Sequence, residues 1–188
     1  MLRDLGFKIG AEIGVANGRF SKYLCKGIPG LKLYCVDPWT AYPEYIEHHD
    51  PEGQVVLNNC YETAKRRLAE YDCKLIKAYS LDAVKQFEDN SLDFVFIDGN
   101  HTFRHCIDDI DEWSKKVRIG GIVSGHDYWT SAERPRETLY IANLTEDEQL
   151  RMVQVKDAVD AWTKAHRIRP WFITTKDASP SWFWVKTQ

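Results

Sequence analysis

Apolar runs of five to seven residues alternate along this chain with segments whose apolar positions recur every three or four residues. The runs "AEIGV", "LKLYCVD", "CKLIKAY" and "LDFVFI" read as four strands, the first ending near Gly14, and "VRIGGIVSGHDY" supplies a Gly-Gly turn and a fifth. Between them, "RFSKYLCKG" reads as a helix with Phe20, Tyr23 and Leu24 on one face. "VVLNNCYETAKRRLAEY" reads as another, with Val56, Cys60, Ala64 and Leu68 four apart. Ser80 is placed to cap a short helix carrying Ala83, Val84 and Phe87. After the fourth strand, Phe103, Cys106, Ile107, Ile110, Trp113 and Val117 share one face of a long helix. Thr145 and Glu148 form a T-x-x-E capping box opening a helix with Val155, Ala158, Val159 and Trp162 as its stripe. "WFITT" and "SWFWVK" close the chain as two strands around a turn holding Pro180.

Strand–helix–strand crossovers are right-handed and give a parallel sheet covered on both faces. The last two runs are close enough to pair antiparallel. The expected architecture is α/β: a doubly wound, mostly parallel seven-stranded sheet with an antiparallel C-terminal strand pair. It is expected as a single domain over residues 1–188, with a lid or insert at about 129–145, where Trp129, Arg134, Arg136 and Tyr140 are placed to cover a site.

The net charge of −3 gives no broad electrostatic case for nucleic acid or an anionic membrane. No apolar run approaches the roughly 20 residues needed to cross a bilayer, and the N-terminus lacks a signal-peptide core. A cytoplasmic location is therefore expected. The five cysteines are scattered with no CxxC pair, which argues for reduced, structural thiols.

In such a sheet, ligands bind beyond the carboxyl ends of the strands. The polar residues collect there: Gly14, Asn17 and Gly18 after the first strand, Asp37 and Trp39 after the second, Ser80 after the third, Asp98 to His101 after the fourth, His126 and Asp127 after the fifth. The loop is G-x-x-x-G, without the denser G-x-G-x-x-G of dinucleotide binders, and suits a ligand lacking a pyrophosphate; a purely structural turn is the competing reading. Asp37 lies about 20 residues on, where a carboxylate accepts ribose hydroxyls. Trp39 is either an adenine-stacking ring or a plain rim aromatic. Ser80 is either an adenine contact or only a helix cap. The run "DDIDE" (Asp108 to Glu112) reads as a solvated acidic face, and "EHHD" (Glu47 to Asp50) as a surface loop.

The ordered set "AEIGVANGRFSKYL", "LYCVDPW", "KAYSLDAVKQF", "SLDFVFIDGNHTF" and "VRIGGIVSGHDY" resembles a class I S-adenosylmethionine-dependent methyltransferase, closest to the methyltransferase 24 family, over roughly residues 8 to 128. The resemblance implies that Glu12, Gly14 and Gly18 line the methionine part of the cofactor, with Asn17 in the same loop. It implies that Asp37 holds the ribose, that Ser80 and Leu81 flank adenine, and that Asp98 sits beside the reacting methyl. Relatives hold magnesium at positions matching Asp98, His126 and Asp127. His126 departs from that pattern, since magnesium prefers oxygen and imidazole suits transition metals. The chain starts close to strand one, so helices that build an acceptor pocket in many relatives are expected to be replaced by the lid or by a second subunit.

His101 is the first candidate for the base that deprotonates an alcohol or phenol acceptor, and His126 the second. A cap for the helix starting near Thr102 is the competing role for His101. The expected activity is O-methylation of a small molecule or sugar. The alternatives are an NAD-dependent oxidoreductase on a similar sheet and a non-catalytic S-adenosylmethionine-binding protein.

Overall fold

The computed structural model describes residues 1–43, 45, 51–133, 145–176 and 179–188. The elements run β1 (Ile9–Ile13), α1 (Arg19–Gly27), β2 (Lys32–Asp37), α2 (Pro51–Leu68), β3 (Cys73–Lys77), α3 (Ser80–Ala83) with one 3₁₀ turn after it, β4 (Leu92–Ile97), α4 (Phe103–Lys116), β5 (Val117–Gly125), α5 (Glu146–Arg151), α6 (Val155–Ala165), β6 (Trp171–Ile173) and β7 (Trp182–Val185). They form one seven-stranded sheet in the order β3-β2-β1-β4-β5-β7-β6. The neighbouring pairs among β1 to β5 are parallel, and β7 runs antiparallel to both β5 and β6. The expected fold class is the one found.

The chain winds outward from β1 to β3, then returns to place β4 on the other side of β1. That reversal opens a crevice at the carboxyl ends of β1 and β4. Side chains of a strand alternate between faces, so the inner strands feed two cores. Leu33 and Cys35 of β2, Phe94 of β4 and Ile122 of β5 pack with Cys25, Ala64 and Leu68 of α1 and α2. Val36, Val95, Ile97 and Val123 pack with Ala83, Ile110, Trp113, Ala158 and Val159 of α3, α4 and α6.

Several helix faces differ from those the spacing predicts. In α1 the buried residues are Ser21 and Cys25, while Phe20 and Tyr23 are exposed. The cause is a tether, because the Ser21 hydroxyl donates to Glu12 Oε2 at 2.5 Å and rotates the helix toward β1. In α2 it is Leu57, not Val56, that is buried with Ala64 and Leu68. Both members of the Thr145–Glu148 capping box form, but α5 ends at Arg151 and α6 begins afresh at Val155. Met152 and Val153 are buried in the break. Gln154 there donates from its backbone to His101 O at 2.8 Å and accepts from Phe103 N at 3.2 Å, which places the break against the start of α4. Among the described residues no helix is long and apolar enough to cross a membrane, and the five cysteines are free thiols.

Asp93 fastens the other end of the sheet. Its carboxylate accepts from Lys8 N at 2.6 Å, Ile9 N at 2.9 Å and Arg118 Nε at 2.7 Å. Burial works to raise its pKa, but these donors outweigh it and hold the group below the ordinary carboxylate range. Asp93→Ala is expected to lower stability by about 2 kcal/mol, as for loss of hydrogen bonds to a charged acceptor. Because the folded-state pKa is depressed, the contribution is fully present above the ordinary carboxylate pKa and is lost as pH falls through the folded value. Urea titrations of both proteins at neutral and acid pH check this: the difference between them should shrink in acid.

Candidate functional site

A cavity of about 340 Å³ opens at the switch point. Its wall includes Ile13, Gly14, Ala16, Asp37, Tyr42, Tyr79, Ser80, Leu81, Asp98, Gly99, Asn100, His105, Asp108 and Asp109. That volume is in the range of small-molecule sites.

The β1–α1 loop forms its floor. Gly14 has φ +86°, and a Cβ there would lie 1.9 Å from Asp98 O. Only glycine lets the ends of β1 and β4 come so close. Asp37 holds the loop in place: Oδ2 accepts from Val15 N at 2.9 Å and Ala16 N at 3.0 Å, and Oδ1 from Trp39 N at 2.7 Å. One carboxylate thus organises the backbone and also lines the cavity.

Four of the loop-region candidates do not face the cavity. Glu12 alternates to the side opposite Ile13 and is 1% exposed; burial first, then the charges of Asp98 and Asp37, push its pKa well up against the pull of Ser21. Gly18 meets Leu68 and Ala64, so its missing side chain serves the packing of α1 on α2. Asn17 is turned to Arg67, whose Nη1 donates to both its O and its Oδ1 at 2.6 Å. Trp39 is the clearest correction. Its backbone is left-handed (φ 44°), its ring is fully buried against Tyr61, and Nε1 donates to Ala16 O at 2.8 Å. It supports the loop from beneath and leaves no face for stacking.

Ser80 and Leu81 line the cavity, but Ser80 is not a side-chain cap. Its hydroxyl donates to Asp109 Oδ1 and accepts from Trp113 Nε1 at 2.8 Å. The acidic-face reading of "DDIDE" therefore fails at one position. Asp111 and Glu112 bind Lys115 at the surface, whereas Asp109 is buried in the cavity wall. Burial raises its pKa to about 7, against the Ser80 hydrogen bond. Tyr42, also absent from the sequence candidates, stands edge-on to Tyr79 and accepts from Asn100 Nδ2 at 3.2 Å. Burial pushes its phenol up to about 12.

Beside the cavity, Asp98, His101 and Asp127 offer ligand atoms that all lie within 4.8 Å of one another. His101 Nε2 is 3.5 Å from Asp98 Oδ1 and 3.6 Å from Asp127 Oδ2. The imidazole completing this group is thus His101 rather than His126. His126 lies on the rim of the group, its Nδ1 3.2 Å from Asp127 Oδ1 and 3.9 Å from Asp98 Oδ1. Its pKa is raised by the Asp127 hydrogen bond and by the charge of Asp98, over the opposing effect of burial. For Asp127, burial is outweighed by His126, His101 and the Ser179 hydroxyl, and its pKa falls well below the carboxylate range. His101 is not the cap of α4: Thr102 occupies that position and Gln154 accepts from Phe103 N. Of the proposed lid, Trp129 is described and donates from Nε1 to Ser179 Oγ at 2.9 Å. Arg134, Arg136 and Tyr140 lie outside the described residues, as does the Glu47–Asp50 run.

Residues 11–128 match the family described as a methyltransferase domain, methyltransferase 24. The chain belongs to this family. The resemblance to class I S-adenosylmethionine-dependent methyltransferases is thereby confirmed. Solved structures similar to this methyltransferase-domain chain include an O-methyltransferase from Bacillus cereus in complex with SAH, 15% identical, over 98% of this chain and 77% of that one, with TM-score 0.66. The O-methyltransferase TomG from Streptomyces achromogenes, involved in tomaymycin synthesis and in complex with SAM, is 16% identical over 98% and 76%, with TM-score 0.61. An O-methyltransferase family protein from Burkholderia thailandensis is 12% identical over 96% of this chain and 51% of that one, with TM-score 0.65. At such identities the likeness is one of fold.

Proposed function

We propose that this methyltransferase-domain protein transfers the methyl group of S-adenosylmethionine to an oxygen of a small molecule or sugar, in the cytoplasm, where free thiols such as its own stay reduced. The observation that carries the reading is one cavity whose wall holds Gly14, Asp37 and Asp98 together at the carboxyl ends of β1, β2 and β4.

The residues fit the cofactor. Gly14 leaves a concave backbone surface that a Cβ would fill, and Asp37 lines the same cavity at the end of β2, where a carboxylate accepts ribose hydroxyls. When bound, S-adenosylmethionine supplies a methyl group activated by its sulfonium. Asp98 stands at the reacting end. His101, held beside Asp98 and Asp127, takes the acceptor's proton, and His126 lies next to it. The same donor set, two carboxylates and an imidazole, also fits a divalent cation of the transition series at Asp98, His101 and Asp127. Such an ion would lower the pKa of an acceptor hydroxyl.

The test is methyl transfer from isotope-labelled S-adenosylmethionine to a panel of phenols, catechols, sugars and amines, with and without added divalent metal. O-methylated product is expected, and transfer to amines alone would overturn the oxygen assignment. Asp37→Ala is expected to weaken S-adenosylhomocysteine binding by about 1–3 kcal/mol, the range for loss of a charged hydrogen-bonding partner. Unchanged affinity in a calorimetric titration would remove Asp37 from the ribose site.

A further inference from the structure

We propose that Ser179, which lies 52 residues after Asp127, is a positioning residue: its hydroxyl sets the Asp127 carboxylate and, through it, the His101 imidazole. The proposal rests on the reading of His101 as the base and goes beyond it, because Ser179 belongs to the turn before β7, remote in sequence from the candidates that follow β1 to β5.

That turn is fastened to the end of β5. Trp182 Nε1 donates to His126 O at 3.2 Å, Tyr128 N donates to Pro180 O at 3.0 Å, and Trp129 Nε1 donates to Ser179 Oγ at 2.9 Å. Between His126 and Tyr128 the chain passes through Asp127, whose backbone is left-handed at φ 50°. That region is uncommon for a residue with a side chain. The turn holds the backbone on both sides of Asp127 and also reaches its carboxylate.

The polarity of the Ser179 contact is fixed. The Trp129 indole N–H can only donate, and it occupies a lone pair of Ser179 Oγ. The one hydroxyl proton is left for Asp127 Oδ1. His126 Nδ1 lies 3.2 Å from the same oxygen. With Oδ1 anchored, rotation of the carboxylate is set, and Oδ2 is presented to His101 Nε2 at 3.6 Å. The Asp127 side chain is only 14% exposed, so water is a poor substitute for the serine. Neither Ser179 nor Asp127 is among the residues lining the cavity. Ser179 therefore acts on the reaction only through the groups it orients.

The test compares the wild type with Ser179→Ala and Ser179→Thr by nuclear magnetic resonance and by turnover. In protein carrying isotope-labelled histidine, the His101 ring signals are assigned by their loss in His101→Ala. At neutral pH they are expected to move in Ser179→Ala and to return to the wild-type positions in Ser179→Thr, which keeps the hydroxyl. In methyl transfer to the best acceptor, kcat is expected to fall by about 10–100-fold in Ser179→Ala, as for other partners that orient a functional side chain from behind. KM for S-adenosylmethionine should stay within about twofold, and Ser179→Thr should restore turnover to within about threefold of the wild type. In a His101→Ala background the same Ser179→Ala change is expected to cost less than about twofold, because the group it orients is gone; a merely structural serine would slow both backgrounds alike. Unmoved His101 signals, full turnover in Ser179→Ala, or an equal loss in both backgrounds overturns the proposal and leaves the methyl-transfer reading standing. If the wild type transfers no methyl group, that reading fails, and the His101 signals alone decide whether Ser179 sets the imidazole. Should Ser179→Ala not fold, Ser179→Cys, close in shape and only a weak donor, takes its place with the same expected outcomes.

Discussion

Gly14→Ala is expected to destabilise the protein by at least about 3 kcal/mol and to abolish nucleoside binding. Two independent effects add. The residue has φ +86°, a conformation L side chains rarely adopt. The added Cβ would also fall 1.9 Å from the carbonyl oxygen of Asp98, 2.4 Å from its carbonyl carbon and 2.7 Å from Gly99 N. These are backbone atoms and cannot rotate away. Their positions are held by Gly14 N donating to Val36 O at 2.9 Å and Asp98 N donating to Ile13 O at 2.7 Å. Relief therefore requires β1 and β4 to part where the cavity floor lies. Gly27→Ala is the control. Nothing lies within 4 Å of a Cβ there, so a change within about 0.5 kcal/mol is expected. Urea unfolding of the two variants provides the comparison, and equal stability would refute the close approach of β1 to β4.

His101→Ala is expected to slow methyl transfer by about 10²–10⁴-fold, the usual contribution of a positioned base, on the best acceptor found in the panel. The imidazole is mostly shielded, its side chain 12% exposed, and it lies between the carboxylates of Asp98 and Asp127. Those carboxylates fix its orientation and offset the positive charge it gains on taking a proton. His101 is not among the residues lining the cavity, so affinity for S-adenosylhomocysteine should stay within about twofold while turnover falls. His126→Ala, at the rim of the group, should cause a smaller drop. Full turnover in His101→Ala would transfer the base assignment away from this residue.

The inner strand framework was legible because β1, β2 and β4 are covered on both faces and so read as nearly unbroken apolar runs. Asp37 and Asp98 were legible for a related reason: a carboxylate that ends a core strand has few places to go except the rim. Direction at the rim was harder. Glu12 and Trp39 occupy the expected positions along the chain but face away from the cavity. Strand alternation turns Glu12 toward α1, and the left-handed backbone at Trp39 swings its ring under the loop. Neither Trp39's dihedral nor the identity of Glu12's partner is written in a run of residue types. Asp109 was missed although its spacing gave the signal. It lies three residues after Cys106 and four before Trp113, on the buried stripe of α4. Charge outweighed periodicity in the reading of "DDIDE", and the Ser80 hydroxyl that makes its burial tolerable comes from a distant part of the sequence. His126 entered that group through the positions matched to relatives, whereas here the turn after β4 brings His101 back beside Asp98 and Asp127.

Calorimetric titration of the purified protein with S-adenosylhomocysteine and, separately, with NAD tests the cofactor assignment most directly. Saturable 1:1 binding of S-adenosylhomocysteine with no heat from NAD is the predicted result. Binding of NAD with none of S-adenosylhomocysteine would contradict it.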